Sequence, residues 1–149
     1  MKKKKELTIE SEVFSRGVDQ IITRDELDSR LKEGKKLRIK FGSDVTATTL
    51  HIGHAVNLWK MRELQEYGHK VVFLIGDFTT QIGDPTGKSK TRPEVAQADV
   101  EANMKSYLAQ VGRILDLDPR KFTWIRNSDW FTSPTDVYVG PEENVHIAV

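Results

Sequence analysis

Residues 37–75 read LRIKFGSDVTATTLHIGHAVNLWKMRELQEYGHKVVFLI, and the order of patterns in this stretch decides the fold class. Leu37–Phe41 alternates apolar and polar residues, which predicts a strand. Gly42–Thr49 is rich in threonine and small residues and reads as a loop. From about His51 to Tyr67, Ala55, Leu58, Met61 and Leu64 recur at every third position and Gly68 supplies a stop. That pattern predicts a helix, with a stripe broad enough to be buried on more than one side. Val71–Ile75 is continuous, apolar and rich in β-branched residues, as a strand covered on both faces requires.

The same alternation continues outward. Upstream, Thr23-Arg24-Asp25-Glu26 has the T-x-x-E form of a capping box. A short helix should follow, with Leu27 and Leu31 inward and Gly34 as its stop. Downstream, Gly76–Arg92 reads as a long polar loop, and Pro93 is placed to open the next helix. Val100, Met104, Tyr107, Leu108, Val111 and Leu115 mark one face of that helix, Pro119 ends it, and Phe122–Ile125 predicts a third strand. The class is therefore α/β, with one βαβαβ half of a doubly wound parallel sheet. The third strand should lie at an open edge. Thr132–Val149 carries only two short β-like segments, Val137–Val139 and His146–Val149, so the second half is expected to be incomplete. The division that follows is a basic, polar tail over residues 1–13, a nucleotide-binding half over residues 14–131 and an irregular end over residues 132–149.

Composition narrows the function classes. The 149 residues are 38% hydrophobic and 30% charged, with 23 Lys+Arg against 22 Asp+Glu. This balance makes no general electrostatic case for nucleic acid or a membrane surface. Residues 1–40 carry 12 Lys/Arg against 8 Asp/Glu, a local excess of +4. The Lys2–Lys5 run within them reads as a solvated tail. Cysteine is absent, which removes disulfides, thiolate metal sites and cysteine nucleophiles. There is no apolar run long enough to span a bilayer and no secretory leader, so a cytoplasmic protein is expected.

Chemistry concentrates at two places. The first is the entry to the 51–67 helix. Ligands of open α/β sheets bind beyond the carboxyl ends of the strands, and a helix N-terminus favours anionic oxygens. There His51-Ile52-Gly53-His54 sets two imidazoles three residues apart on one side of the first turn. Each has a ring N–H for phosphate or ribose. Gly53 lets a ligand approach the backbone, Thr46 adds a hydroxyl and Asp44 a carboxylate. Taken alone, the string reads more readily as a capped helix with two surface histidines. No zinc site is expected, because a helical pair prefers i, i+4 and no third ligand stands out.

The second place is GDFTTQIGDPTGKSKTR, residues 76–92. Gly83–Ser89 nearly spells a P-loop, but three residues separate the glycines where that motif has four. Lys88, Lys90 and Arg92 still gather three cations on a glycine-containing loop, suited to polyphosphate. Asp84, between Gly83 and Pro85, suits either a turn or an ammonium group.

Together, the HIGH string and this loop make the chain resemble the class I aminoacyl-tRNA synthetases, and the tyrosyl enzymes among them most closely. The likeness runs from about Phe14 to Phe131 and includes Ser15-Arg16-Gly17-Val18. It implies a Rossmann-like sheet of the HUP type. It implies a site in which Gly42, Asp44, Thr46, His51, Gly53 and His54 hold ATP, which arrives with Mg2+. Thr46 and His51 would meet the phosphates, and Gly53 and His54 the ribose. Asp84 and Thr79 would serve tyrosine, with Asp84 on its ammonium group. Lys88 and Arg92 would reach pyrophosphate. His51, His54, Thr46, Lys88 and Arg92 would thus be the catalytic set, with no resident metal. The partners implied are L-tyrosine, ATP, tRNA(Tyr) and a second copy in a homodimer.

Two departures stand out. Where the family commonly reads G-F-D-P-T-A, this chain reads Gly42-Ser43-Asp44-Val45-Thr46-Ala47. Lys40 stands where many relatives place a tyrosine against the substrate phenol. The family's KMSKS signature is absent, so the chain reads as the N-terminal part of a catalytic domain. Two other functions fit the same residues: a small adenylyltransferase with its own HxGH motif, or a nucleotide-binding remnant without catalysis.

Overall fold

A computed structural model describes residues 7–82, 96–131 and 147–148. The N-terminal segment makes a short 3-10 turn over Glu12–Phe14. The elements that follow are β1 (Gln20–Ile21), α1 (Arg24–Lys32), β2 (Arg38–Asp44), α2 (Ile52–Glu66), β3 (Lys70–Gly76), α3 (Asp77–Ile82), α4 (Gln97–Val111), β4 (Phe122–Arg126), α5 (Ser128–Phe131) and β5 (Ile147–Ala148).

The sheet is parallel, in the order β2-β3-β4. The apolar run expected at the centre is there: Val71, Phe73 and Ile75 of β3 are fully buried. They pack with Leu58 and Met61 of α2 and with Val100, Met104, Tyr107 and Val111 of α4. Five of the six stripe positions lie on α4 and face this core, but the helix stops at Val111 rather than running on to Pro119, and Leu115 reaches the same core from the turn that follows. A smaller cluster joins Leu27 of α1 and Leu64 of α2 to Ile9, Val13 and Phe14. Ile9 and Val13 fall in the segment read as a tail, yet both are buried; their apolar side chains cover Leu27 and Leu64. Lys2–Lys5 lies outside the described residues.

Three further features differ from the sequence reading. Strand β2 runs on through Gly42, Ser43 and Asp44, paired with Leu74, Ile75 and Gly76, because ladder bonds to β3 outweigh the weak strand preference of those small residues. Thr23 forms no capping box: it adopts a left-handed φ of 57°, and its hydroxyl donates to Ile22 O. Gly34, at φ 68°, does end the helix region as expected. Asp77–Ile82 is helical rather than loop. Its entry is fixed by the Asp77 carboxylate, which accepts from Phe78 N at 3.0 Å and from Ser128 N at 3.1 Å. At the far end Ile147–Ala148, within the β-like segment His146–Val149, pairs antiparallel with Gln20–Ile21. Pro93 and Val137–Val139 lie outside the described residues.

Candidate functional site

The carboxyl ends of β2 and β3 converge at Asp44 and Gly76, which are register partners. The Asp44 Oδ1 accepts from the Thr79 hydroxyl at 2.8 Å. Thr79 Oγ1 in turn accepts from Asn127 Nδ2 at 2.9 Å, and Asn127 Oδ1 accepts from Phe78 N at 2.9 Å. Gly76 makes this possible: a Cβ there would lie 2.0 Å from Asp44 Oδ1 and 2.6 Å from Thr79 Oγ1. Asp44, assigned from resemblance to the ATP pocket, and Thr79, assigned to the tyrosine pocket, therefore share one hydrogen bond. Sequence reading passed over Asn127 and Asp77. Both follow the ends of parallel strands, and that position alone would have marked them.

The histidines are built by the first turn of α2. His51 is the N-cap residue, and its Nδ1 accepts from Gly53 N at 3.1 Å. His54 returns the contact, its Nδ1 accepting from His51 N at 3.3 Å. A reciprocal cap of this kind satisfies two donors that a helix start leaves open. The rings lie against each other, with centroids 3.9 Å apart. With both Nδ1 atoms used as acceptors, each neutral ring carries its proton on Nε2. Gly53 has a purpose beyond ligand approach: a Cβ there would sit 3.0 Å from His51 Cε1, where the ring folds back. Thr46 and His51 are exposed, and His54 is half-buried edge-on to Tyr107 at 6.3 Å. Gly42 is exposed on β2, and a Cβ there would meet only Lys40 Nζ at 3.2 Å and Leu74 Cδ2 at 3.4 Å. Asp84, Lys88, Lys90 and Arg92 lie outside the described residues.

Burial holds the His54 imidazole below its ordinary value, and the His51 ring beside it adds to the effect. The unfolded chain then binds a proton that the folded chain resists. Between the depressed folded value and the ordinary value near 6.5, stability should rise with pH. Melting temperatures taken across that window should climb with pH in the wild type and climb less in His54→Gln. Equal slopes in the two proteins would contradict the assignment.

A cavity of about 280 Å3 opens elsewhere, beside β2, and its lining includes Leu27, Met61, Leu64, Arg38 and Lys40. None of Asp44, His51, His54 or Thr79 lines it. Among the described residues the outer edge of β2 is unpaired. In a doubly wound sheet of order 3-2-1-4-5-6 the crevice that takes the ligand opens where the order reverses, next to strand 1. Strand β2 holds that place, and Asp44 and the histidines stand at its carboxyl end.

Comparison with known proteins shows the family. The family model of class I tRNA synthetases for tryptophan and tyrosine matches residues 32–137. The chain belongs to this family. It is 50% identical over 120 residues to a tyrosine–tRNA ligase of Francisella tularensis, covering 80% of this chain and 30% of that protein. The corresponding figures for a Xylella fastidiosa tyrosine–tRNA ligase are 52%, 120 residues, 80% and 28%. The synthetase chain thus spans less than a third of the length of these relatives. Among solved structures, a C-terminally truncated mitochondrial tyrosyl-tRNA synthetase of Aspergillus nidulans matches with a TM-score of 0.65 at 28% identity. That match covers 85% of this chain and 40% of the other. Among the described residues, no helix is long and apolar enough to cross a membrane.

Proposed function

We propose that this chain carries the nucleotide-binding half of a cytoplasmic, homodimeric enzyme that activates L-tyrosine with ATP and passes it to tRNA(Tyr). The observation that carries the reading is the close, mutually capping His51–His54 pair, with both Nε2–H groups left as donors, at the N-terminus of α2. In the proposed reaction a tyrosine carboxylate oxygen attacks the α-phosphorus of Mg-ATP. The bond from that phosphorus to the bridging oxygen breaks, releasing tyrosyl-adenylate and magnesium pyrophosphate. A carboxylate needs no general base, so the protein's task is positioning and charge stabilisation.

In this scheme His51 and Thr46 hold phosphate oxygens. Gly53 and His54 lie along the ribose, and Gly42 and Asp44 line the same pocket. Asp84 pairs with the tyrosine ammonium group beside Thr79, and Lys88 and Arg92 receive the pyrophosphate. What supports the scheme is the chain's kinship to tyrosine–tRNA ligases and the bond that ties Asp44 to Thr79.

The test is equilibrium binding of Mg-ATP by this chain, with and without tyrosine, together with tyrosine-dependent ATP–pyrophosphate exchange. ATP binding strengthened by tyrosine supports the reading. ATP binding indifferent to tyrosine, without exchange, would reduce the chain to a nucleotide-binding module. Failure to bind ATP at millimolar concentration would overturn the reading.

A further inference from the structure

The segment between β2 and α2 has no regular structure of its own, so its backbone polar groups need partners elsewhere. One face of α4 supplies them. Asn103 Nδ2 donates to Val45 O at 3.0 Å, and Ser106 Oγ donates to Thr48 O at 2.7 Å. Gln110 uses both ends of its amide: Nε2 donates to Thr48 O at 3.1 Å, and Oε1 accepts from Leu50 N at 2.9 Å. Its Nε2 also lies 3.0 Å from Ser106 Oγ. Tyr107, on the same face, hydrogen-bonds with the Ala47 backbone and meets the His54 ring edge-on.

We propose that Gln110, supported by Ser106 and Asn103, is a positioning residue for nucleotide binding: it fixes the segment that carries Thr46 and delivers His51 to the start of α2. The role rests on the nucleotide-binding reading above. The spacing 103, 106, 110 puts all three on one side of α4, interleaved with the apolar stripe that packs on β3. The order of partners along the loop follows the order along the helix, so α4 acts as a template for the loop. Leu50 immediately precedes His51. The Gln110–Leu50 bond therefore sets the backbone direction from which the histidine cap begins. Thr48 O takes two donors at once, which leaves little freedom between Thr46 and His51.

The variants Gln110→Leu, Gln110→Glu and Ser106→Ala in this chain test the role. Gln110→Leu keeps approximate shape but strands Leu50 N–H and removes a donor from Thr48 O. Gln110→Glu keeps the acceptor for Leu50 N–H but turns a carboxylate oxygen toward Thr48 O and Ser106 O, where Nε2 had donated. ATP affinity should fall about fivefold or more in Gln110→Leu, the equilibrium factor of one neutral hydrogen bond. It should fall in Gln110→Glu as well, and least in Ser106→Ala. The ring nitrogen resonances of His51 and His54, read by NMR in the folded proteins without ligand, should move furthest in Gln110→Leu and least in Ser106→Ala.

A variant that melts near the wild type, with unmoved histidine resonances and unchanged ATP affinity, would overturn the proposal. Should Gln110→Leu fail to fold, Gln110→Glu and Ser106→Ala decide by the same two readouts. Should the wild type bind no ATP, the functional reading fails separately. The resonances then still decide whether α4 positions the pair: shifted resonances sustain that role, and unmoved ones end it.

Discussion

Gly76→Ala should loosen the junction of β2 and β3 and cost about 1–3 kcal/mol, the usual range for overpacking a filled site. The glycine is buried, and the methyl carbon would overlap the Asp44 carboxylate and the Thr79 hydroxyl, at 2.0 and 2.6 Å. The 2.8 Å bond between those side chains would have to open. Thr79 would then release Asn127 Nδ2, so β4 and α3 would feel the change as well. Gly42→Ala is the matched control. Its added carbon meets the mobile end of Lys40 and a Leu74 methyl at 3.2 and 3.4 Å, and it should melt close to the wild type. Thermal melts of the two variants give the comparison. The double variant Asp44→Ala/Gly76→Ala should recover part of the loss, because the tighter overlap is gone. Equal melting of Gly76→Ala and the wild type would mean that the packing around Gly76 has been misread.

His51→Ala and His54→Ala should each weaken Mg-ATP binding about ten- to a hundredfold. That factor corresponds to the roughly 1.5–3 kcal/mol of a hydrogen bond to a charged group. His51 also caps α2, and loss of a cap costs about 1 kcal/mol on its own account. His51→Asn separates the two contributions. It keeps a side-chain acceptor at the N-cap, so stability should be retained while the phosphate donor at Nε2 is lost. Calorimetry on folded variants checks this. Unchanged affinity in both alanine variants would remove the histidines from the nucleotide site.

The central strand and both long helices were legible because each follows one period without interruption. Val71–Ile75 has no polar residue to dilute it, and the α4 stripe repeats over three turns from Val100 to Val111. The HIGH string was equally plain. What escaped the sequence reading depends on contacts between distant residues. Gly42–Asp44 looks like loop by composition and becomes strand only because β3 offers it a ladder. The Thr23 capping box has the right letters, but the turn before α1 rotates the hydroxyl onto Ile22 O. Asn127 joins the site across 48 residues of chain through Thr79, a relation that no local spacing encodes. Asn103, Ser106 and Gln110 were visible only as polar gaps in an apolar pattern. Their purpose depends on a loop about sixty residues away.

Two copies of this chain meeting along the β2 edge, unpaired among the described residues, would bring like charges together. Arg38 and Lys40 are exposed on that strand, and neither takes part in an ion pair among the described residues. If two copies joined edge to edge, antiparallel about Ile39, Arg38 of one would face Lys40 of the other, twice over. Like charges directly opposed across strands are destabilising, and lysine on an edge strand is a common guard against sheet extension. The repulsion acts at the range of the Debye length, about 10 Å at 0.1 M salt and 3 Å at 1 M. That rim is thus an electrostatic bumper whose reach the surrounding electrolyte sets: dilute buffer disfavours pairing through β2, and concentrated salt takes the guard away.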